Sequence, residues 1–267
     1  MFTKEQIHNQ LKEMNAPQNK IVLAHSSLKA VGEVEGRGEG LLEALIEYFT
    51  ADGGLFCVPT HTWAYLLDEN RFSLDMLSNE TCIGTLPNIA AGHPKAHRSA
   101  HPTHSIAVFG NDDLAEELIK EEQYCNSPAS PKSAHGKIYD RDGYILLIGV
   151  GHNRNTYIHC VEEILNVPNR LSPHEVPTKI RLKSGEIYRG KTHYHLAEGI
   201  RDVSAHYPKY EPAFRHYNCI TDGFVGNAKT QLVSARKIKD IIELIHQRSG
   251  DTDVLIDDKP LDEALYK

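Results

Sequence analysis

The chain is poor in most features that assign a protein at sight. Its five cysteines, Cys57, Cys82, Cys125, Cys160 and Cys219, lie far apart, form no C-x-x-C pair and leave an odd count. That argues against a zinc ribbon and against a disulfide framework, and a reducing, cytoplasmic setting is the expectation. No stretch approaches the roughly 18 uninterrupted apolar residues that a membrane span requires, so no membrane partner is expected. The opening MFTKEQIHNQLKEM lacks the apolar centre and small-residue cleavage site of a secretory signal and reads as an amphipathic helix capped by Thr3. An excess of basic residues is missing as well. The 29 basic and 36 acidic residues leave a formal net charge of −7, which disfavours a nucleic-acid partner and mildly favours a cationic ligand. Part of that excess is surface charge on residues 112–122 and in an acidic tail over 251–263. Neither a G-K-[ST] ending nor G-x-G-x-x-G spacing occurs in the glycine-rich segment 25–40, so both nucleotide fingerprints are absent.

What is present is a chain of 267 residues, 40% hydrophobic, long enough for one large core. Short β-branched or apolar runs at 21–24, 55–58, 105–109 and 144–150 predict buried strands, separated by helix-patterned segments at 41–49, 83–91 and 112–122. Residues 125–137, rich in Pro and Ser, read as a loop. Further on come a hairpin pair at 179–182 and 187–193, a short helix at 210–217, strands at 220–225 and 229–233, and a strongly patterned helix at 235–247.

One stretch concentrates chemistry: YILLIGVGHNRNTYIHCVEEIL, residues 144–165. A strand runs into a turn at Gly149 and Gly151, and a helix is expected to follow at once, capped by Asn155 or Thr156 and buried along Ile158, Val161 and Leu165. Thr156, His159 and Glu162 then share one flank, where an imidazole and a carboxylate three apart suit proton transfer, although such pairs also serve as plain surface electrostatics. Cys160 adjoins His159 but faces away from it, so a cysteine nucleophile is disfavoured.

Other candidates flank this stretch. The segment HSSLKAVGEVEGRGEG, residues 25–40, offers hydroxyls and backbone N–H groups to a ligand, or is a plain flexible connection. Trp63 falls just beyond a strand end, where ligands bind in α/β sheets, and the polar loop 64–82 carries Asp68, Glu69, Asp75 and Glu80. His93, His97, His101 and His104 invite a metal, but Pro94 and Pro102 break any helix that would align them and no carboxylate lies among them, so none is expected.

Six stretches in order, HSSLKAVGEVEG (25–36), GGLFCVPTHTW (53–63), RSAHPTHSIAVFG (98–110), SPASPKSAHG (127–136), ILLIGVGHNRNTYIHCVEE (145–163) and VGNAKTQLVSAR (225–236), resemble the aminoglycoside 3-N-acetyltransferase family. The resemblance implies an α/β single domain, residues 1–267, with a central mixed β-sheet flanked by helices, on which the hairpin pattern marks residues 178–195 as a small β-rich insertion. It implies acetyl-CoA as co-substrate and direct acetyl transfer to a small-molecule amine, an aminoglycoside or a related one; the alternative is a catalytically weak CoA- or amine-binding relative. His159 and Glu162 would form the catalytic dyad with Thr156 beside it. His25, Ser26, Ser27, Leu28, Val31, Gly32 and Arg37 would bind the cofactor together with His101 and Ser105, and Ser105 or the amides near Thr156 would meet the oxyanion. Trp63, Asp68, Glu69, Asp75 and Glu80 would face the acceptor, a homodimer is admitted, and no metal enters. Where many members carry acids, this chain has Asn88 and Thr103.

Overall fold

Strict alternation in the four longest apolar runs decides the architecture, because each of these strands is apolar on both faces. Ile21, Leu23, Leu55, Cys57, Ile106, Val108, Ile145 and Leu147 point into one core, and Val22, Ala24, Phe56, Val58, Ala107, Phe109, Leu146 and Ile148 into a second. A sheet covered on both sides by helices follows. The computed structural model describes residues 1–250 and 252–267; Asp251, the first residue of the expected acidic tail, lies outside them.

In chain order the elements are α1 (Lys4–Glu13), β1 (Ile21–Ser26), α2 (Leu28–Val31), α3 (Arg37–Thr50), β2 (Leu55–Pro59), β3 (Leu74–Asp75), α4 (Thr85–Gly92), β4 (His97–Arg98), β5 (Ile106–Phe109), α5 (Asp112–Ile119), α6 (Ala134–Asp140), β6 (Tyr144–Ile148), α7 (Tyr157–Ile164), β7 (Val176–Arg181), β8 (Ile187–Thr192), α8 (Glu211–His216), β9 (Ile220–Val225), β10 (Ala228–Ser234) and α9 (Ala235–Ser249). Seven strands form one mixed sheet in the order β4-β5-β2-β1-β6-β10-β9. Its centre is parallel, β2 with β1 and β1 with β6, and antiparallel strands complete both sides. Helices α1, α3 and α4 cover one face, and α5, α6, α7 and α9 the other.

Thr3 caps α1 in a reciprocal capping box with Gln6, as its sequence suggests. The helix expected to follow the glycine-rich segment starts earlier than its apolar pattern, because α3 begins inside the segment at Arg37. A Cβ on Gly38 would sit 2.6 Å from Ile89 of α4, and one on Gly40 would overlap Glu35 O, so these two glycines permit close packing. The hairpin at 176–192 is joined by β3 into a second sheet, β3-β7-β8, so the expected β-rich insertion draws one strand from the polar loop 64–82. Residues 134–140 are helical despite the Pro/Ser-rich lead-in. Buried Glu122 accepts the Ala134 amide at the first turn of α6 and supplies a cap from a distant part of the chain.

Candidate active site

Parallel strands β1, β2 and β6 end on the same edge of the sheet, and the segments leaving them wall a cleft of roughly 1140 Å³. From β1 come His25 and Ser26; beyond β2 come His61 and Trp63; beyond β6 come Arg154, Asn155, Thr156 and His159. Segments 194–197 and 201–204 close the remaining side. The turn after β6 needs glycine: Gly149 has φ +64°, and a Cβ there would lie 2.4 Å from that of Ala30.

The helix does not follow that turn at once. A 3₁₀ turn, His152–Arg154, comes first, and α7 starts at Tyr157 after Thr156. Neither expected cap operates. Thr156 accepts no helix amide, and Asn155 Nδ2 pairs with His152 Nδ1 at 3.3 Å. The amides of Asn155 and Thr156 are donated to His152 O and Arg154 O, so they are not free for an oxyanion. The Thr156 hydroxyl borders the cleft and has no hydrogen-bond partner among the described residues.

His159 and Glu162 come together, but through a third side chain. Their closest atoms, Nδ1 and Oε2, are 3.7 Å apart, and the Tyr207 hydroxyl bridges them, 2.6 Å from Nδ1 and 2.5 Å from Oε2. A phenol has one proton. If it is donated to the Glu162 carboxylate, the phenolic oxygen accepts Nδ1–H of His159, and Nε2 is left as the unprotonated nitrogen. Burial, reinforced by Glu162, raises Tyr207 well above the ordinary phenol range, so the hydroxyl stays a donor. Glu162 is buried and receives Arg170 Nε on its other oxygen at 2.5 Å, and Arg170 in turn makes a bidentate pair with Asp253 at 2.8 and 2.9 Å. Cys160 is fully buried, with its thiol pushed well up by desolvation, which fits packing.

The cofactor candidates divide between two places. His25 and Ser26 border the main cleft, whereas Leu28, Val31, Gly32 and Arg37 border a smaller cavity of about 420 Å³ further along the same segment. Ser27 faces neither and caps α2 by accepting the Ala30 amide. His101 and Ser105 are fully buried away from both. His101 Nδ1 accepts the amides of Thr103 and His104, which leaves Nε2–H for Ser127 O, and the Ser105 hydroxyl donates to Thr60 O at 2.7 Å. Their partners are internal, and neither side chain borders the two cavities.

Of the acceptor candidates, Trp63 borders the cleft, half exposed, and the four acids do not. Asp75 is bound by Arg181, Glu80 by Arg71 and the Tyr65 hydroxyl, Asp68 stabilises its own turn by accepting the Asn70 amide, and Glu69 is exposed. Asn88 accepts the amide and hydroxyl of Thr81, whereas Thr103 does border the cleft. Among the described residues no group of three or more His, Cys, Asp or Glu is placed to hold a metal.

Several site residues carry no local signal in the sequence. Tyr207 lies in a 3₁₀ segment, Val203–Tyr210, with no apolar periodicity to mark it. His195 stacks on His159 with ring centroids 3.8 Å apart, and His104 and His61 continue the row at 5.2 and 4.4 Å. The histidines of this row share only their position on the cleft, and Tyr207 lies behind them, fully buried.

Geometry alone thus defines an α/β protein with a cleft at the sheet's carboxyl edge, an oriented imidazole on its wall and a separate smaller cavity along the 28–41 segment. The model of the aminoglycoside 3-N-acetyltransferase family matches residues 23–245, and the chain belongs to that family. It is 30% identical to aminoglycoside N(3)-acetyltransferase IV of Salmonella sp over 65% of this chain and 63% of that one. It is 22% identical to the SPbeta prophage-derived aminoglycoside N(3')-acetyltransferase-like protein YokD of Bacillus subtilis (strain 168), over 90% and 91%. The crystal structure of aminoglycoside acetyltransferase AAC(3)-IVa in complex with gentamicin superposes with a TM-score of 0.75 at 26% identity, covering 93% of this chain and 90% of that one. AAC-IIIb, binary with CoASH, shares the fold at a TM-score of 0.77 and 16% identity, over 92% and 97%.

Proposed function

We propose that the chain transfers the acetyl group of acetyl-CoA directly to an amine of an aminoglycoside or a related small molecule, with His159 as general base. The observation that carries this reading is the bridge at His159 Nδ1, which leaves Nε2 available at the cleft. Family membership supplies acetyl-CoA as the co-substrate.

An aliphatic amine with a pKa near 10, roughly as for lysine, is protonated at neutral pH and cannot attack a thioester until it loses a proton. The ammonium gives up one proton to solvent as it enters the cleft; the neutral amine then attacks the thioester, and His159 Nε2 takes a second proton from its nitrogen as the C–N bond forms. The C–S bond then breaks, and the imidazolium returns the proton to the departing CoA thiolate. Glu162, held by Tyr207 and Arg170, keeps the ring oriented and offsets the charge it gains. The Thr156 hydroxyl is assigned to the developing oxyanion, a contribution on the order of 3 kcal/mol for a well-aimed donor. His25 and Ser26 would meet the pantetheine arm; the unpartnered His25 Nε2 suits one of its amides. Leu28, Val31, Gly32 and the Arg37 cation would take the nucleotide end at the smaller cavity.

His159→Ala should abolish amine-dependent CoA release, read by a thiol reagent, while calorimetry finds acetyl-CoA affinity within about threefold of the parent. Full turnover in that variant removes the base assignment. Tight acetyl-CoA binding by the parent without turnover on any amine would identify a binding protein instead.

A further inference from the structure

The main cleft differs in charge from the rest of the molecule. Acids outnumber bases in the chain, yet the described residues bordering the cleft include two cations, Arg154 and Arg201, and a single carboxylate, Asp202. That carboxylate is already engaged: its Oδ1 accepts the amide and hydroxyl of Ser204 at 3.0 and 2.7 Å and so caps the segment that carries Tyr207. Among the described residues, neither the acetyl-CoA share nor the acceptor share of the cleft lining holds more than this one acid.

Four buried imidazoles of the lining are neutral. Burial holds His25 at about 3, and His61, His104 and His195 well below the ordinary imidazole range. Nε2 of His25 and His61, both ring nitrogens of His195 and Oδ1 of Asn155 are buried and have no hydrogen-bond partner. All four of these residues border the cleft. Unpartnered neutral nitrogens and an amide oxygen are satisfied by hydroxyl, amide or carbonyl groups. A second or third ammonium in the same space would be stripped of water with no counter-charge, which is costly. At the mouth, Trp63 and Leu67 offer apolar surface, and the exposed acids that follow Leu67, Asp68 and Glu69, do not border the cleft.

From this lining we propose that the acceptor is a mono-amine: one reactive aliphatic amine on a body bearing hydroxyl or amide groups, without further ammonium groups. Polycationic aminoglycosides are then poor acceptors. This rests on the reading of the cleft as the site of acetyl transfer, and its test separates the two. Binding of methyl glucosaminide, aminopentanol, tyramine and gentamicin to CoA-saturated protein is measured by calorimetry at low and high salt, followed by CoA release from acetyl-CoA with each amine. The best mono-amine should bind at least about tenfold more tightly than gentamicin, with an affinity that changes less than about twofold with salt. The exposed-site variant Leu67→Asp, which adds a carboxylate at the mouth, should strengthen gentamicin binding at least about fivefold and mono-amine binding less than about twofold. Tighter binding of gentamicin than of every mono-amine by the parent protein overturns the inference, whatever the turnover. The expected binding order with no CoA release from any amine overturns acetyl transfer and leaves the charge selection standing.

Discussion

Tyr207 stands between the two side chains whose spacing first singled out the central helix. Its ring is fully buried, so Tyr207→Phe should preserve packing and remove one hydroxyl from the His159–Glu162 bridge. Hydrogen bonds to charged groups are worth roughly 1.5–3 kcal/mol, so kcat should fall on the order of tenfold to a hundredfold. Acetyl-CoA affinity should stay unchanged, and the acidic limb of the pH–rate profile should move. A variant with the parental kcat and profile would show that the bridge is incidental. The sequence made His159 and Glu162 visible because a helix repeats its flank every three or four residues. It hid Tyr207, which reaches the same carboxylate from 45 positions away with no periodicity to announce it. The acids of loop 64–82 were visible for the opposite reason: charge is conspicuous in a sequence, whereas the arginines that neutralise Asp75 and Glu80 become evident only in space.

Elements with period-2 or period-3.6 patterning stand where the sequence places them, from β1 and β6 to α9. Those it conceals are short and defined by tertiary partners: β3 and β4 are two-residue pairings, and α6 depends on Glu122 from outside the helix. Glu122 also carries a testable cost. Desolvation raises its carboxyl to about 7 from an ordinary 4.5. A folded-state pKa raised above the unfolded value gives stability that is complete below about 4.5 and is lost as pH rises through about 7. Glu122→Gln retains an acceptor for the Ala134 amide and removes the charge. Its melting temperature should therefore exceed the parent's at pH 8, with the difference shrinking toward pH 5; equal temperatures at pH 8 would mean that Glu122 is hydrated in solution.

Across the whole molecule the neutral histidines set an opposite limit. His25, His101 and His135 are lowered by burial to about 3, 3 and 4, and His61, His104 and His195 lie well below the ordinary value. Depressed folded-state values give stability that is present above about 6.5 and is lost as pH falls, because the unfolded chain takes up protons that the folded one refuses. Each such histidine contributes a slope of up to ~1.4 kcal/mol per pH unit. Melting temperature measured against pH should therefore drop steeply between about pH 6 and 4, with more than two protons taken up on unfolding; a flat profile would mean that these rings are protonated in the folded state.

The pairing of β1 with β6 joins residues 22–26 to residues 144–148. Until the second of these strands exists, one whole side of β1 is an unsatisfied edge, and His25 has no opposing wall. During synthesis the ribosome must therefore release more than half of the chain before the cleft can begin to close. Non-local parallel pairing of this kind forms slowly. In the interval the growing chain carries a sticky apolar edge, so its yield in a cell depends on what shields that edge as much as on the stability of the finished fold.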